Sequence, residues 1–227
     1  MGKFEEDLEA VYSKIAATRR DPLNGRDLAL ELESIKRKLL ALWRRRLVKS
    51  NHTIMELVVA GHLLYKGYRV DVEVEVGEGL VCDIYARNDS SSLIVEVETG
   101  FVPPDHSSDP ILYRAAREAS KIARYSRFAD EFALAVPPYH VLQVPEVLYL
   151  DPEDRDPSEL ALVKDLLDSY YSRPPVELED IARAKLSSVY VVNVDRAEVL
   201  ELSAKEYCEL FVRPLLALPI AATSVSI

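Results

Sequence analysis

Two stretches near the N-terminus, residues 4–19 and 27–49, carry hydrophobic side chains at every third or fourth position. This spacing gathers the apolar side chains on one face of an α-helix and leaves polar side chains on the other. The letters Asp-Pro-Leu-Asn-Gly at 21–25, between the two stretches, are a strong turn signal. The pattern therefore predicts an antiparallel helical hairpin over residues 1–50.

Residues 51–140 combine helical spacing with the strict alternation that is typical of half-buried strands. Thr53 is expected to open a helix over residues 53–66. Asp109 followed by Pro110 is an N-cap and first-turn pair for a second helix, which reaches about residue 128. Strands are predicted at residues 68–76, 80–87, 93–98 and 131–136. The predicted order is thus α-β-β-β-α-β.

The remaining residues, 141–227, are at first rich in proline and then return to regular patterns. Helices are predicted at 157–171 and 176–185, strands at 188–194 and 198–202, and a last helix from Ser203 into an apolar tail. We expect this C-terminal α/β extension to complete the domain that residues 51–140 begin. The predicted fold class is α/β, with a mixed central sheet flanked by helices.

Composition places the chain among ordinary globular proteins, since 48% of its 227 residues are hydrophobic and 29% are charged. No apolar run approaches the length of a membrane span, and the N-terminus lacks the apolar stretch of a signal peptide, so we expect a cytoplasmic protein with no membrane partner. The two cysteines, Cys82 and Cys208, show no metal-ligand spacing. A single glutamine and four asparagines beside abundant Glu and Arg hint at a thermophilic source.

The net charge of −10 argues against indiscriminate binding to nucleic acid, but the charge is unevenly distributed. Residues 36–50 contain seven basic residues and no acid, and residues 113–128 contain five basic residues and one acid. A phosphate backbone meets a local patch rather than the average charge. The residues that we select as candidates for nucleic-acid binding are the basic Arg44, Arg45, Arg46, Arg114 and Arg117, together with Tyr125.

Three acidic residues in the predicted strands are the strongest candidates for chemistry. Alternation puts Glu96 and Glu98 on the same face of one strand, about 7 Å apart, and Asp83 can join them if the neighbouring strand pairs with it. Converging carboxylates repel one another unless a cation neutralises them, and hard oxygen ligands suit Mg²⁺ or Mn²⁺. The alternative is a solvated acidic face like the one that Asp71, Glu73 and Glu75 suggest in the preceding strand.

The order of elements, with an aspartate in the second strand and Glu-x-Glu in the third, resembles the PD-(D/E)XK nuclease superfamily. The matching stretches are MELVVAGHLLYKGYRVDVEVEV, VCDIYA, LIVEVETG and KIARYSRFADEFALAVP, which together cover some 90 residues. The resemblance implies a restriction endonuclease-like core and Mg²⁺-dependent hydrolysis of phosphodiester bonds, with Asp83 and Glu96 as metal ligands. Members of the superfamily often work as dimers, which leaves a homodimer open for this chain.

The sequence departs from the superfamily at position 98, where Glu98 replaces the usual lysine. Some restriction enzymes also carry glutamate at this position, and in other members the following helix supplies the lysine, for which Lys121 is the natural candidate here. Both options remain open. At 100° per residue, Lys121 lies on the helix face opposite the apolar stripe, together with Arg114, Arg117 and Tyr125. A lysine there could orient the attacking water or stabilise negative charge in the transition state. The alternative is a solvated basic face of an amphipathic helix.

Glu56 matches the acid that members of the superfamily usually carry on the first helix, which implies a third metal ligand and a catalytic role. It also has a structural explanation, because Thr53-Ile54-Met55-Glu56 matches a capping box, in which the Glu56 carboxylate accepts from the Thr53 amide. The same carboxylate lies on the apolar side of the predicted helix, where it needs a partner. Both roles remain open, and they do not exclude each other.

Three functional hypotheses follow. The first is a metal-dependent nuclease acting on DNA, with catalytic candidates Asp83, Glu96, Glu98, Lys121 and Glu56. The second is a catalytically inactive descendant that keeps the fold as a DNA-binding or assembly module, which the missing lysine at position 98 favours. The third is an unrelated α/β protein, in which Asp83, Glu96 and Lys121 lie far apart. The four histidines show no ligand spacing and are expected in the core or at the surface.

Overall fold

The structure, a computed structural model, describes residues 2–18, 27–77 and 79–217. The predicted turn at 21–25 and most of the apolar tail lie outside the described residues. The helices are α1 (Lys3–Thr18), α2 (Leu28–Arg44), α3 (Ser50–Tyr65), α4 (Pro110–Tyr125), α5 (Pro157–Tyr170), α6 (Leu178–Arg183), α7 (Ala204–Tyr207) and α8 (Arg213–Leu216), and a π-helical turn, Cys208–Val212, joins the last two. Among the described residues, none of the helices is long and apolar enough to span a membrane.

Six strands form one mixed sheet in the order of the sequence. They are β1 (Arg69–Gly77), β2 (Leu80–Arg87), β3 (Ser92–Val97), β4 (Glu131–Val136), β5 (Ser188–Asn193) and β6 (Glu198–Ser203). The pairs β3–β4 and β4–β5 are parallel, and the other pairs are antiparallel. The prediction of an α/β fold with a mixed central sheet is confirmed, and α3-β1-β2-β3-α4-β4 follow one another in the predicted order.

Each face of the sheet has its own hydrophobic core. On one face, side chains of α1, α2 and α3 pack against β-strand residues such as Val72, Ile84 and Val95. On the other face, α4 to α7 pack against residues such as Ile94, Phe132 and Leu134. Leu93, Val95 and Val97 belong to the first core and Ile94 to the second, so the predicted alternation along β3 is confirmed.

The predicted C-terminal end of the second helix differs from the structure. The second helix was expected to reach residue 49, but α2 ends at Arg44, because Arg46 adopts a left-handed φ of 60°. The Arg46 and Leu47 amides donate to the carbonyls of Trp43 and Leu42, which is the hydrogen-bond pattern of a Schellman cap. The basic run at 36–50 is therefore divided between a helix and the turn that leads into α3.

Thr53 does not cap α3, and this prediction was wrong. The helix begins one turn earlier, at Ser50, and the Thr53 hydroxyl donates to the Lys49 carbonyl from inside the helix. Asp109 does precede α4, but its side chain makes no capping hydrogen bond and accepts from the Tyr170 hydroxyl instead. The two side chains that the sequence pattern predicted as helix caps, those of Thr53 and Asp109, thus make other contacts.

The β1–β2 hairpin bends sharply near its middle. Pairing skips Glu73, which has a φ of 50°, between the pairs Val72↔Ile84 and Val74↔Cys82. Ile84 packs in the core beneath α3, whereas Cys82 packs in the opposite core with Ile94. Strict alternation along β2 would place Cys82 on the same face as Ile84, but the bend carries the outer half of the hairpin across the sheet. Asp83 lies at the bend.

A close contact between α1 and α3 is the basis of a first prediction. A Cβ atom on Gly61 would lie 2.7 Å from Cγ2 of the buried Ile15, which is closer than packed carbon atoms approach. We expect Gly61→Val to lower the free energy of unfolding by about 1–3 kcal/mol through overpacking, measured by thermal or urea unfolding. Ala17→Val, at an exposed position of α1, is the matched control. Equal Tm values for the two variants would contradict this packing.

Candidate metal centre and active site

The candidate site lies where the hairpin bends away from the rest of the sheet. Asp83 comes from the bend in β2, and Glu96 lies near the end of β3. Glu98 follows β3 directly, and its backbone amide donates to the Ala135 carbonyl of β4. Glu56 reaches the site from α3 and Lys121 from α4, so helices on both faces of the sheet contribute.

Asp83 and Glu96 bind each other's strand through their side chains. The Asp83 amide donates to Glu96 Oε1 at 3.0 Å, and the Val97 amide donates to Asp83 Oδ2 at 2.6 Å. These two bonds form next to Ile84↔Val95, where the regular β2–β3 pairing ends. Each carboxylate therefore has one oxygen tied to the backbone, which leaves Oδ1 of Asp83 and Oε2 of Glu96 for other partners.

Lys121 places its ammonium group among the three predicted carboxylates. Its Nζ lies 2.7 Å from Glu98 Oε1, 3.0 Å from Glu96 Oε2 and 3.7 Å from Asp83 Oδ2, and it donates to the Val97 carbonyl. Burial opposes the charged form, but the three carboxylates outweigh burial and raise the pKa of Lys121. The side chain is only 14% exposed, so the alternative of a solvated face does not describe this lysine.

Glu98 holds Lys121 in place. Its carboxylate is buried and accepts from Arg117 Nε at 3.1 Å in addition to the bond from Lys121. Burial raises the pKa of Glu98, but the two cations lower it more, so this carboxyl stays ionised. Both partners of the Glu98 carboxylate are cationic side chains of the protein. The contribution of Glu98 to the site is therefore to hold the Lys121 ammonium group in position.

Glu56 is buried with both carboxylate oxygens lacking a hydrogen-bond partner among the described residues. Burial, and then the charges of Asp83, Glu73 and Glu96, raise its pKa well above the usual range. A buried carboxylate without a partner is strongly destabilising, and capping does not account for it here, since the Thr53 amide donates to the Lys49 carbonyl. The orphaned oxygens make Glu56 a candidate ligand for a cation.

His52, one helical turn before Glu56, completes a cluster with the geometry of a metal site. Donor atoms of His52, Glu56 and Asp83 lie within 4.8 Å of one another. His52 is half-buried, and burial lowers the pKa of its imidazole, which favours the neutral form that binds metals. Its Nε2 lies 3.4 Å from Thr99 Oγ1. His52 was not among the predicted site residues, although its spacing of four residues from Glu56 is the spacing that brings side chains together on one helix face.

Glu73 is a second residue that sequence reasoning missed. Alternation suggested a solvated position in β1, but the left-handed backbone at Glu73 leaves the side chain half-buried beside the bend. Burial and the neighbouring charge of Asp83 raise the pKa of Glu73 to about 7. No local signal in the sequence indicated a positive φ at this residue, because glutamate rarely adopts it.

The centre holds more acidic groups than cations. Five carboxylates, those of Glu56, Glu73, Asp83, Glu96 and Glu98, surround two cations, Lys121 and Arg117. Burial and the charge of Asp83 raise the pKa of Glu96 to about 8. A divalent ion held by Asp83, Glu56 and His52 would relieve this repulsion, with Glu96 adjacent. An imidazole among the oxygen ligands suits Mn²⁺ and other transition metals better than Mg²⁺.

The residues predicted to bind nucleic acid are mostly engaged inside the protein. Arg114 donates to His140 and to the Val141 carbonyl, and Arg117 pairs with Glu98. The Tyr125 hydroxyl donates to the Val81 carbonyl, and Arg44 pairs with Glu5. Arg45 and Arg46 are exposed in the turn after α2. Arg114, Arg117 and Tyr125 therefore support the centre from within, where a helical face had suggested contact with a phosphate backbone.

Comparison with protein-family models, with curated proteins and with solved structures finds no match for this chain. The function must therefore be argued from the geometry of the centre.

The raised pKa of Glu56 makes a second prediction. A carboxyl whose pKa is higher in the folded than in the unfolded state is protonated on folding, so stability falls as the pH rises above its ordinary value. In EDTA, Glu56→Gln, which stays neutral, should therefore become more stable than the wild type as the pH rises above the ordinary glutamate range. Its Tm should exceed that of the wild type by about 2–4 °C for each kcal/mol. Mn²⁺ should raise the Tm of the wild type but not of Glu56→Gln.

Glu75→Gln, at an exposed acid of β1, is the control for a change in charge alone. It should follow the wild type at every pH and keep the response to Mn²⁺. If Glu56→Gln also ran parallel to the wild type, with the same Mn²⁺ shift, Glu56 would be neither a high-pKa group nor a metal ligand.

Proposed function

We propose that this protein is a metal-dependent nuclease that hydrolyses phosphodiester bonds of DNA, with a restriction endonuclease-like core of the PD-(D/E)XK type. One observation supports it above the others: the unpartnered Glu56 carboxylate lies beside Asp83 and His52, within the field of the Lys121 ammonium group. A metal site next to a buried cation suits hydrolysis of a phosphodiester, since charge develops on both the attacking and the leaving oxygen.

His52, Glu56 and Asp83 are the residues that would hold the ion, with Glu96 adjacent. A divalent ion bound there would supply Lewis acidity and lower the pKa of a bound water. Asp83 is the best positioned ligand, because its Oδ2 is fixed by the Val97 amide while Oδ1 is available. Glu96 links the two strands through the Asp83 amide and faces Lys121 with its other oxygen.

Lys121 takes the part that the motif lysine would otherwise fill. Its Nζ is 3.0 Å from Glu96 Oε2, and Glu98 and the Val97 carbonyl keep it there. A fixed ammonium group in this position can orient a water for attack and stabilise negative charge on the phosphorus oxygens. The high pKa of Lys121 keeps it charged, so it serves as an electrostatic stabiliser and not as a general base.

The position of Lys121 also bears on the alternative, an inactive DNA-binding or assembly module. That reading rested on the missing lysine at position 98, and the centre has an ammonium group from α4 in its place. A module without catalysis has no need of an orphaned buried carboxylate, which destabilises the fold. We therefore favour the enzyme, with DNA as substrate and a homodimer as an open prediction.

Asp83→Asn tests the function directly. This change keeps the hydrogen bond from the Val97 amide but removes a charged ligand. We expect cleavage of a panel of plasmid, single-stranded and four-way-junction DNA in Mg²⁺ or Mn²⁺ to fall by a factor of about 100 or more. EDTA should abolish cleavage by the wild type.

Asp71→Asn, at an exposed position of β1, is the matched control and should cut like the wild type. Cleavage that persists in Asp83→Asn would point to a contaminating nuclease. Absence of cutting on every substrate, together with no calorimetric sign of Mn²⁺ binding, would support the inactive module.

Lys121→Met separates the ammonium charge from metal binding. We expect cleavage to fall about 100-fold, the usual loss on removing one donor that stabilises transition-state charge. The Mn²⁺-induced rise in Tm should remain, because Lys121 repels the ion. Lys205→Met, at an exposed site on α7, serves as the control. Wild-type cleavage in Lys121→Met would exclude Lys121 from the reaction.

A further inference from the structure

A groove of about 590 Å³ opens at the carboxyl ends of the parallel strands β3, β4 and β5. Ligands of open α/β sheets bind at this edge, and the volume is within the range of small-ligand sites. It is formed by the start of α3, the segment after β3, the turn after β4, and the end of β5 with the turn that follows. The lining residues that matter below are Asn51, Met55, Thr99, Tyr139 and Asp195.

The groove borders the candidate centre at Thr99. Thr99, on its wall, contacts His52 through Oγ1 and Nε2 at 3.4 Å. Asn51 and Met55, also on the wall, are the neighbours in sequence of His52 and Glu56. A substrate strand that placed its phosphate at the centre would therefore place the attached nucleoside in or beside the groove.

Tyr139 is the most exposed of the large apolar side chains, at 85%. It follows Pro137 and Pro138, and the next residue, His140, is buried and anchored by Arg114 and Glu118. The ring is thus displayed on a turn that is fixed at both ends. Phe101, 55% exposed and two residues after Thr99, is a second aromatic ring near this edge, with Lys49 Nζ 4.5 Å from its centroid.

The charges around the groove favour a short contact with phosphate over a long one. Arg114, Arg117 and Lys121 are engaged inside the protein, so α4 has little charge to offer a duplex backbone. Exposed Lys49 precedes α3, whose N-terminus bears no side-chain cap and carries a partial positive charge. Asp195, in the β5–β6 turn, repels phosphate and so directs it towards the α3 end.

We infer that this groove binds an unpaired nucleotide of the substrate strand, with its base stacked on Tyr139, so that the enzyme acts on single-stranded or unpaired segments of DNA. Every base has a face that can stack on an aromatic ring, but in a duplex both faces are covered by neighbouring base pairs. The inference rests on the proposed function for the statement that the substrate is DNA. The groove and Tyr139 support the statement that the bound nucleotide is unpaired.

The test measures binding apart from cleavage. A labelled single-stranded oligonucleotide and a duplex of the same sequence are titrated with protein in EDTA, and fluorescence anisotropy gives the Kd. Tyr139→Ala should weaken binding of the single strand about tenfold, within the range that one stacked base contributes, and should leave the duplex unchanged. Tyr139→Phe should bind like the wild type because it keeps the ring. Tyr65→Ala, at a half-exposed tyrosine at the end of α3, should also bind like the wild type.

Three outcomes would overturn the inference: an unchanged Kd for Tyr139→Ala, an equal loss on single strand and duplex, or no binding of single strand by the wild type. Cleavage assays with Mn²⁺ in parallel separate this from the proposed function. A stacking effect without cutting on any substrate would support the groove and count against the nuclease. Cleavage without an effect of Tyr139→Ala on binding would support the nuclease and rule out base stacking on Tyr139 in the groove.

Discussion

The rest of the candidate site depends on one buried cation, the Lys121 ammonium group. It lies on α4, on one face of the sheet, yet contacts acids from β2, from β3 and from the segment after β3. A buried ammonium group is tolerated only where carboxylates surround it, and these buried carboxylates are tolerated because of it. This mutual dependence explains why Arg117 supports Glu98 from behind: each additional cation stabilises an acid that the ammonium group alone does not neutralise.

The bend in the β1–β2 hairpin makes this arrangement possible. A straight hairpin would keep Asp83 in line with the regular pairs of β2 and β3. At the left-handed Glu73 the hairpin instead crosses the sheet, and Asp83 turns its carboxylate to the Val97 amide. The strained residue is itself an acid beside the centre, as expected where backbone strain is retained for function. Strain, burial and repulsion therefore occur at the same few residues. Burial and the repulsion between neighbouring charges raise the pKa values of Glu56, Glu73 and Glu96.

Periodicity predicted the parts of the site that regular elements determine. Alternation placed Glu96 and Glu98 on one face of β3, and helical spacing placed Lys121 opposite the apolar stripe of α4. Periodicity did not predict the site residues that depend on irregular backbone. Glu73 lies beside the site because its φ is positive, and His52 lies on α3 because the helix begins before Thr53. The partners of Arg114 and Arg117 were not predicted either, for another reason. A basic face looks solvated in sequence, and only the tertiary fold brings His140 and Glu98 against it.

Because Arg114, Arg117 and Lys121 are engaged inside the protein, they are not available to attract a polyanion such as DNA. With a net charge of −10 and five carboxylates around the centre, the site on its own repels phosphate. A divalent ion reverses the local field, so on the proposed function metal and substrate must bind with positive cooperativity. Steering by a broad basic surface then matters less than the short-range contacts at the metal and the groove. An enzyme built this way selects substrates by whether a base can leave its stack, and its affinity depends less on salt than that of a protein that tracks the duplex backbone.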